Sequence, residues 1–145
     1  MSKKTKTQPV SGKRTEQPLL STDNDKQVWI FDSVDRDGPF DFTPNRIDMD
    51  CEDILDKIIY YSGRTWNDIK RETHDSGKTK HHHLSYNTLS ESAINRIKKL
   101  HLGDQTDSIF QMRLDNMVRI IGLREGRNFI VKWFDSNHEF SPVSK

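Results

Sequence analysis

Between Gly103 and Ser108 the apolar residues of this chain stop recurring every three to four positions and begin to alternate. That change of period, from about 3.6 to 2, divides a helical stretch from a stretch of strands. From Ser108 to Leu114, Phe110, Met112 and Leu114 point one way and Ile109, Gln111 and Arg113 the other. Asp115-Asn116 is a tight turn, and Met117 to Arg124 is the next strand. Glu125-Gly126 is a second turn, with glycine supplying the positive φ that hairpins require. Arg127 to Asp135 follows, with Phe129, Val131 and Trp133 on one face and Ile130, Lys132 and Phe134 on the other. Connections this short leave adjacent antiparallel pairing as the least costly arrangement, so the C-terminal third is predicted to be a β-meander.

Upstream, Val28-Trp29-Ile30-Phe31 reads as a short strand, and Asp35 to Pro39 as a turn. Phe40 and Phe42 alternate around Asp41, which allows a second short extended piece. Asp50 to Ser62 carries an apolar stripe of Ile54, Leu55, Ile58, Ile59 and Tyr61, acidic residues suited to a helix N-terminus, and Gly63 as its stop. Thr65 caps a second short helix in which Trp66 and Ile69 are the buried residues. The polar stretch Thr73 to Lys80 reads as a loop, and Ser90 to Leu100 as a third helix burying Ala93, Ile94, Ile97 and Leu100. A strand, three helices and three strands predict an α+β fold, an antiparallel meander with helices packed on one face. Residues 1–25, rich in Lys, Thr, Ser, Gln and Pro, read as a disordered basic tail. Residues 26–145 read as a single domain.

Several function classes are removed at this stage. The chain has one cysteine, Cys51, so no intrachain disulfide forms, and the thiol is expected to be inert, in the core or on a helix face. No apolar run approaches a membrane span and no secretory signal is present, so cytoplasmic residence without a membrane partner is expected. There is no glycine-rich phosphate loop, no Gly-x-Ser-x-Gly elbow and no His-Glu-x-x-His motif. Nucleoside triphosphatase, serine hydrolase and zinc protease chemistry are therefore not expected, nor is any cofactor. The net charge of +1 supplies no global field for a polyanion, so a nucleic-acid partner would need a local basic face.

Three features carry candidate chemistry. His81-His82-His83 is a run beside Lys78 and Lys80. In extended backbone only His81 and His83 share a direction, and a structural metal site usually needs four ligands, so no metal is expected there. The meander concentrates Arg113, Arg119, Arg124, Arg127 and Lys132. Clustered guanidiniums on an open sheet face can grip phosphates, or can be ordinary solvated charge. Finally, His138 follows the last strand beside Asp135 and Glu139. A carboxylate next to a histidine suits acid–base work, and it equally suits a hydrogen bond that caps a strand end.

Phe110-Gln111-Met112-Arg113-Leu114, Val118-Arg119-Ile120-Ile121-Gly122, and Phe129 to Asp135 followed by His138 resemble the strands of RelE/ParE-like bacterial toxins. The resemblance spans roughly residues 107–142, and is topological over the helices. It implies cleavage of RNA on the ribosome, or gyrase poisoning in the ParE branch, restrained by a cognate antitoxin protein. Cleavage of the RelE type is metal-independent, because the ribose 2′-hydroxyl is the nucleophile. The matching catalytic positions are Arg113 and Arg119 on the phosphate, His138 as acid or base, and His83 in reserve. Arg124, Arg127, Lys132 and Lys80 are the candidate RNA contacts. The alternative is a non-enzymatic α+β module that binds a protein or nucleic acid.

Overall fold

The computed structural model describes residues 21–142. Its strands are β1 (Val28–Ile30), β2 (His82–His83), β3 (Ile109–Arg113), β4 (Arg119–Glu125) and β5 (Asn128–Asp135). Its α-helices are α1 (Cys51–Ser62), α2 (Trp66–Arg71) and α3 (Glu91–Lys99). Side-chain caps set the helix starts, Thr65 as expected from sequence and Asp50 and Ser90 besides. Asp50, Thr65 and Ser90 each accept a hydrogen bond from the amide three residues on, at 3.1, 3.1 and 3.2 Å.

One sheet in the order β1-β5-β4-β3-β2 organises the molecule. β3, β4 and β5 form the predicted meander, and β1 joins β5 in parallel. The α+β class and the antiparallel meander are as expected. The helices, however, cover both faces of the sheet and not one. Ile54, Tyr61, Trp66 and Ile69 from α1 and α2 pack with Phe110, Met112, Ile120 and Phe129. Ala93 and Ile97 from α3 pack on the opposite face with Ile109, Ile121, Leu123 and Trp133. Both sides of β3 and β4 are apolar enough to need cover, which the alternation alone did not reveal.

A bulge corrects the predicted facing of β5. Ile121 pairs with Trp133 and Gly122 with Val131, so Lys132 is passed over. The extra residue inverts the alternation beyond it. Trp133 turns to the α3 side, where its ring lies 4.8 Å from that of Phe140, and Phe134 turns to the α1 side. Gly122 is required at this point because a Cβ there would run into the Ile130 carbonyl and meet the Phe129 ring at 3.1 Å.

The bulged edge of β5 is held by the loop after β1. Asp35 donates its amide to the Lys132 carbonyl at 2.8 Å, and Phe134 donates to Phe40 at 2.9 Å. Asp35 is buried, and its carboxylate accepts two bonds from Arg96 at 2.8 Å each and one from the Trp133 indole at 3.0 Å. Burial alone would raise its pKa, but Arg96, the Asp37 amide and Trp133 outweigh that and hold it below the usual carboxylate value.

One boundary and one apolar stripe differ from expectation. Residues 21–25, assigned to the tail from sequence, are tied into the domain. Asp23 bonds Lys70 at 2.8 Å and Arg124 at 2.7 Å, and Trp66 donates its amide to Asp25. The remainder of the predicted tail lies outside the described residues. On α1, Leu55 and Ile59 of the apolar stripe remain exposed, at 57% and 61%. Cys51 is also exposed, at the start of that helix. Among the described residues, no helix is long and apolar enough to cross a membrane.

Candidate anion-binding cleft

Register brings two arginines together. β3 and β4 place Arg113 directly opposite Arg119, and β5 places Asp135 beside Arg119. The neighbouring row of the sheet runs His82, Gln111, Ile121, Trp133. Ile121 and Trp133 belong to the α3-side core, so the polar members of these two rows share that face of the sheet. They open into a cleft of about 890 Å³ lined by Lys80, His82, Gln111, Arg113, Arg119 and His138, among others.

Arg119 is 3% exposed. Its Nη1 donates to the carbonyls of Asp115, Asn116 and Val118 at 2.8, 3.1 and 3.3 Å. Its Nη2 faces His138 Nδ1 at 3.3 Å, and its Nε has no partner among the described residues. Arg113 bonds the Asp115 carbonyl at 3.3 Å and the Asn116 side chain at 3.0 Å. Neither guanidinium has a carboxylate partner among the described residues. Asp135 is nearby, but its oxygens accept the amides of Asn137, Glu139 and Phe140 at 3.4, 2.9 and 2.7 Å. Burial first, then the Arg113 charge, lowers the Arg119 pKa to about 10, so Arg119 keeps its charge at neutral pH. Like charges opposite one another across strands destabilise the free protein, and an anion in the cleft relieves that repulsion.

The Asp135 carboxylate also shapes the loop that presents His138. By gathering those amides it holds His138 at φ +59°, a left-handed conformation uncommon for a side-chain-bearing residue. Arginine is only a donor, so Nδ1 of His138 accepts and the neutral ring carries its hydrogen on Nε2. Burial, Arg119 and Arg113 together outweigh Asp135 and keep the His138 pKa below its ordinary value.

The histidine run separates into different environments. His81 is buried. Its Nδ1 accepts the Arg113 amide at 3.0 Å, and its Nε2 donates to Glu72 at 3.1 Å. Tyr61 donates to the same Glu72 oxygen at 2.9 Å. His83, the reserve catalytic position, packs its ring edge-on against Phe110 at 5.0 Å, on the side of β3 away from Arg113. His82 pairs with Gln111 and feels the Arg119 charge, so it is the member of the run that shares the arginine face. The sequence reading missed His82 and Gln111 because β2 is only two residues long and its register on β3 has no local signal. Among the described residues, no group of three or more His, Cys, Asp or Glu is placed to hold a metal ion.

The candidate RNA contacts divide. Lys80 lines the cleft, 3.6 Å from Glu72. Arg124 is on the opposite face, its guanidinium 4.0 Å from the centre of the Trp66 ring and paired with Asp23. Arg127 is exposed in the β4–β5 turn. Lys132, at the bulge, bonds the Ser33 carbonyl and hydroxyl at 3.1 and 2.9 Å. These three do not join Arg113, Arg119 and His138.

His81 gives the cleft an acid-sensitive foundation. Burial lowers its pKa from 6.5 to about 4, against the raising effect of Glu72 and with small lowering effects from Lys80 and His82. A group with a depressed folded pKa that must stay neutral contributes stability above the unfolded value, and that stability is lost as pH falls. Between pH 6.5 and 4 the loss is expected to reach about 3 kcal/mol. His82, His83 and His138, also lowered, add in the same direction. Urea titrations across this window should show a steep decline for the native chain and a much shallower one for His81→Gln. Equal slopes would show that His81 does not carry the effect.

No family model, curated protein or solved structure matches this chain.

Proposed function

We propose that this protein is a metal-independent endoribonuclease of the RelE-like toxin type, cleaving RNA through the ribose 2′-hydroxyl. The observation that supports this most is the buried Arg119 beside Arg113, both without a carboxylate partner among the described residues, with His138 3.3 Å from Arg119. Two guanidiniums on one face can hold a phosphodiester and stabilise charge that builds on its non-bridging oxygens. In the reaction the 2′-oxygen bonds to phosphorus, the bond to the 5′-oxygen breaks, and a 2′,3′-cyclic phosphate remains. The 2′-hydroxyl must lose a proton and the departing 5′-oxygen must gain one. His82, held toward the neutral form mainly by burial, is the proton acceptor. His138 is the donor: a bound phosphate engages Arg119, frees Nδ1 and offsets the cations that depress the ring. The partners of this reading are RNA, on or off the ribosome, and a cognate antitoxin protein in the cytoplasm.

The test is induced expression in bacteria together with incubation of the purified chain with RNA in EDTA. Growth arrest and fragments ending in cyclic phosphate are expected. Normal growth with well-folded protein, and intact RNA that is nevertheless bound, would favour a non-enzymatic binding module. The lowering of the His138 pKa, by burial first and then by the Arg119 charge, is the feature that fits this second reading.

A further inference from the structure

We propose that Gln111 recognises the ribose 2′-hydroxyl beside the phosphate held by Arg113 and Arg119, and thereby makes the cleft select RNA over DNA. This rests on the nuclease reading and names the residue that would set its substrate class. Gln111 is 3% exposed, and its Oε1 has no hydrogen-bond partner among the described residues. An orphaned buried carbonyl is costly to keep unless a ligand supplies the missing donor. Its neighbours in the row do not satisfy it. Ile121 has no polar atom, and no bond from His82 to the amide forms. Gln111 lines the cleft, so a ligand seated there can supply the donor that its carbonyl lacks.

Position selects which donor arrives. Gln111 shares a strand face with Arg113 and is two residues away, about 6.7 Å along the strand. In a ribonucleotide, the carbon bearing the 2′-hydroxyl adjoins the carbon bearing the 3′-phosphate. Base amines lie on the far side of the sugar. A residue on the cleft wall one row from the arginines thus meets the 2′-hydroxyl first. That group donates a hydrogen bond, and DNA lacks it. The hydroxyl has one hydrogen, so in the bound state it points to the Gln111 carbonyl and turns to His82, the next residue in the row, before the 2′-oxygen attacks phosphorus.

The experiment compares three oligonucleotides of one sequence: ribose, 2′-deoxyribose and 2′-O-methyl. Fluorescence anisotropy is measured with His138→Ala, which keeps the ribose strand intact, and with His138→Ala combined with Gln111→Met. The single variant should bind the ribose strand roughly tenfold more tightly than the other two, the usual worth of one well-made hydrogen bond. The double variant should lose that preference through the ribose strand alone. Gln111→Asn, which keeps polarity but withdraws the carbonyl by one methylene, should lose it as well, with the thermal transition preserved. An equal fall on all three strands, or an unchanged preference in both variants, overturns the proposal. If wild-type protein cleaves RNA while Gln111→Met keeps the preference, only this inference fails. If no strand binds, it fails together with the nuclease reading.

Discussion

Replacing His138 with alanine is expected to lower RNA cleavage by about two to four orders of magnitude, the span usual for a general acid or base, without unfolding the protein. The side chain is only partly buried, and what holds it is the 3.3 Å contact to Arg119 and a bond to the Ser141 backbone. The loop around it is held by the Asp135 carboxylate through backbone amides, which alanine leaves in place. The left-handed backbone at His138 adds a control. Asparagine tolerates that conformation better than alanine, so His138→Asn should fold at least as well and be equally inactive. Gel assays of cleavage and circular-dichroism melts on both variants provide the readouts. Activity within about threefold of wild type in either would remove His138 from the chemistry. Arg119 is a less clean probe, because its guanidinium also satisfies the carbonyls of Asp115, Asn116 and Val118.

Asp35→Ala is expected to cost about 3–5 kcal/mol, the range for removing one partner of a buried ion pair. Its loss leaves the buried Trp133 indole and the partly buried Arg96 guanidinium without their acceptor. Trp133 stands just beyond the bulge, so the damage falls on the part of β5 that leads to Asp135 and His138. The turn itself is built around Arg96, since a Cβ on Gly38 would meet the Arg96 Cδ at 2.7 Å. A fall in melting temperature on the order of 15 °C is expected for a domain of this size. Asp35→Asn, which keeps an acceptor for the indole, should lose less. Because the folded pKa is lowered from 3.8, the contribution of the native pair is present above that pH and lost as acid protonates it. A shift of only one or two degrees in Asp35→Ala would show that the pair is not a support of the sheet.

The sequence by itself determined the helices, the cap at Thr65 and the order of the meander. Each depends on residues close together in the chain: Asp50, Thr65 and Ser90 bond amides three positions on, and the turns at Asp115-Asn116 and Glu125-Gly126 make pairing of consecutive strands the least costly. It also singled out Arg113, Arg119 and His138, because guanidiniums and an imidazole near short turns are visible as residue types. Only the tertiary structure decided that α3 lies across the sheet from α1 and α2, since apolar residues on both sides of a strand do not say which helix covers which side. It alone decided the facing of Trp133 and Phe134, because one unpaired residue at Lys132 inverts a period of two and leaves no mark in the composition. It alone separated His82 from His81 and His83, through a two-residue edge strand whose register comes from β3. Arg113 and Arg119 share a cleft because long-range backbone pairing set them opposite each other, a constraint that no local pattern of side chains encodes.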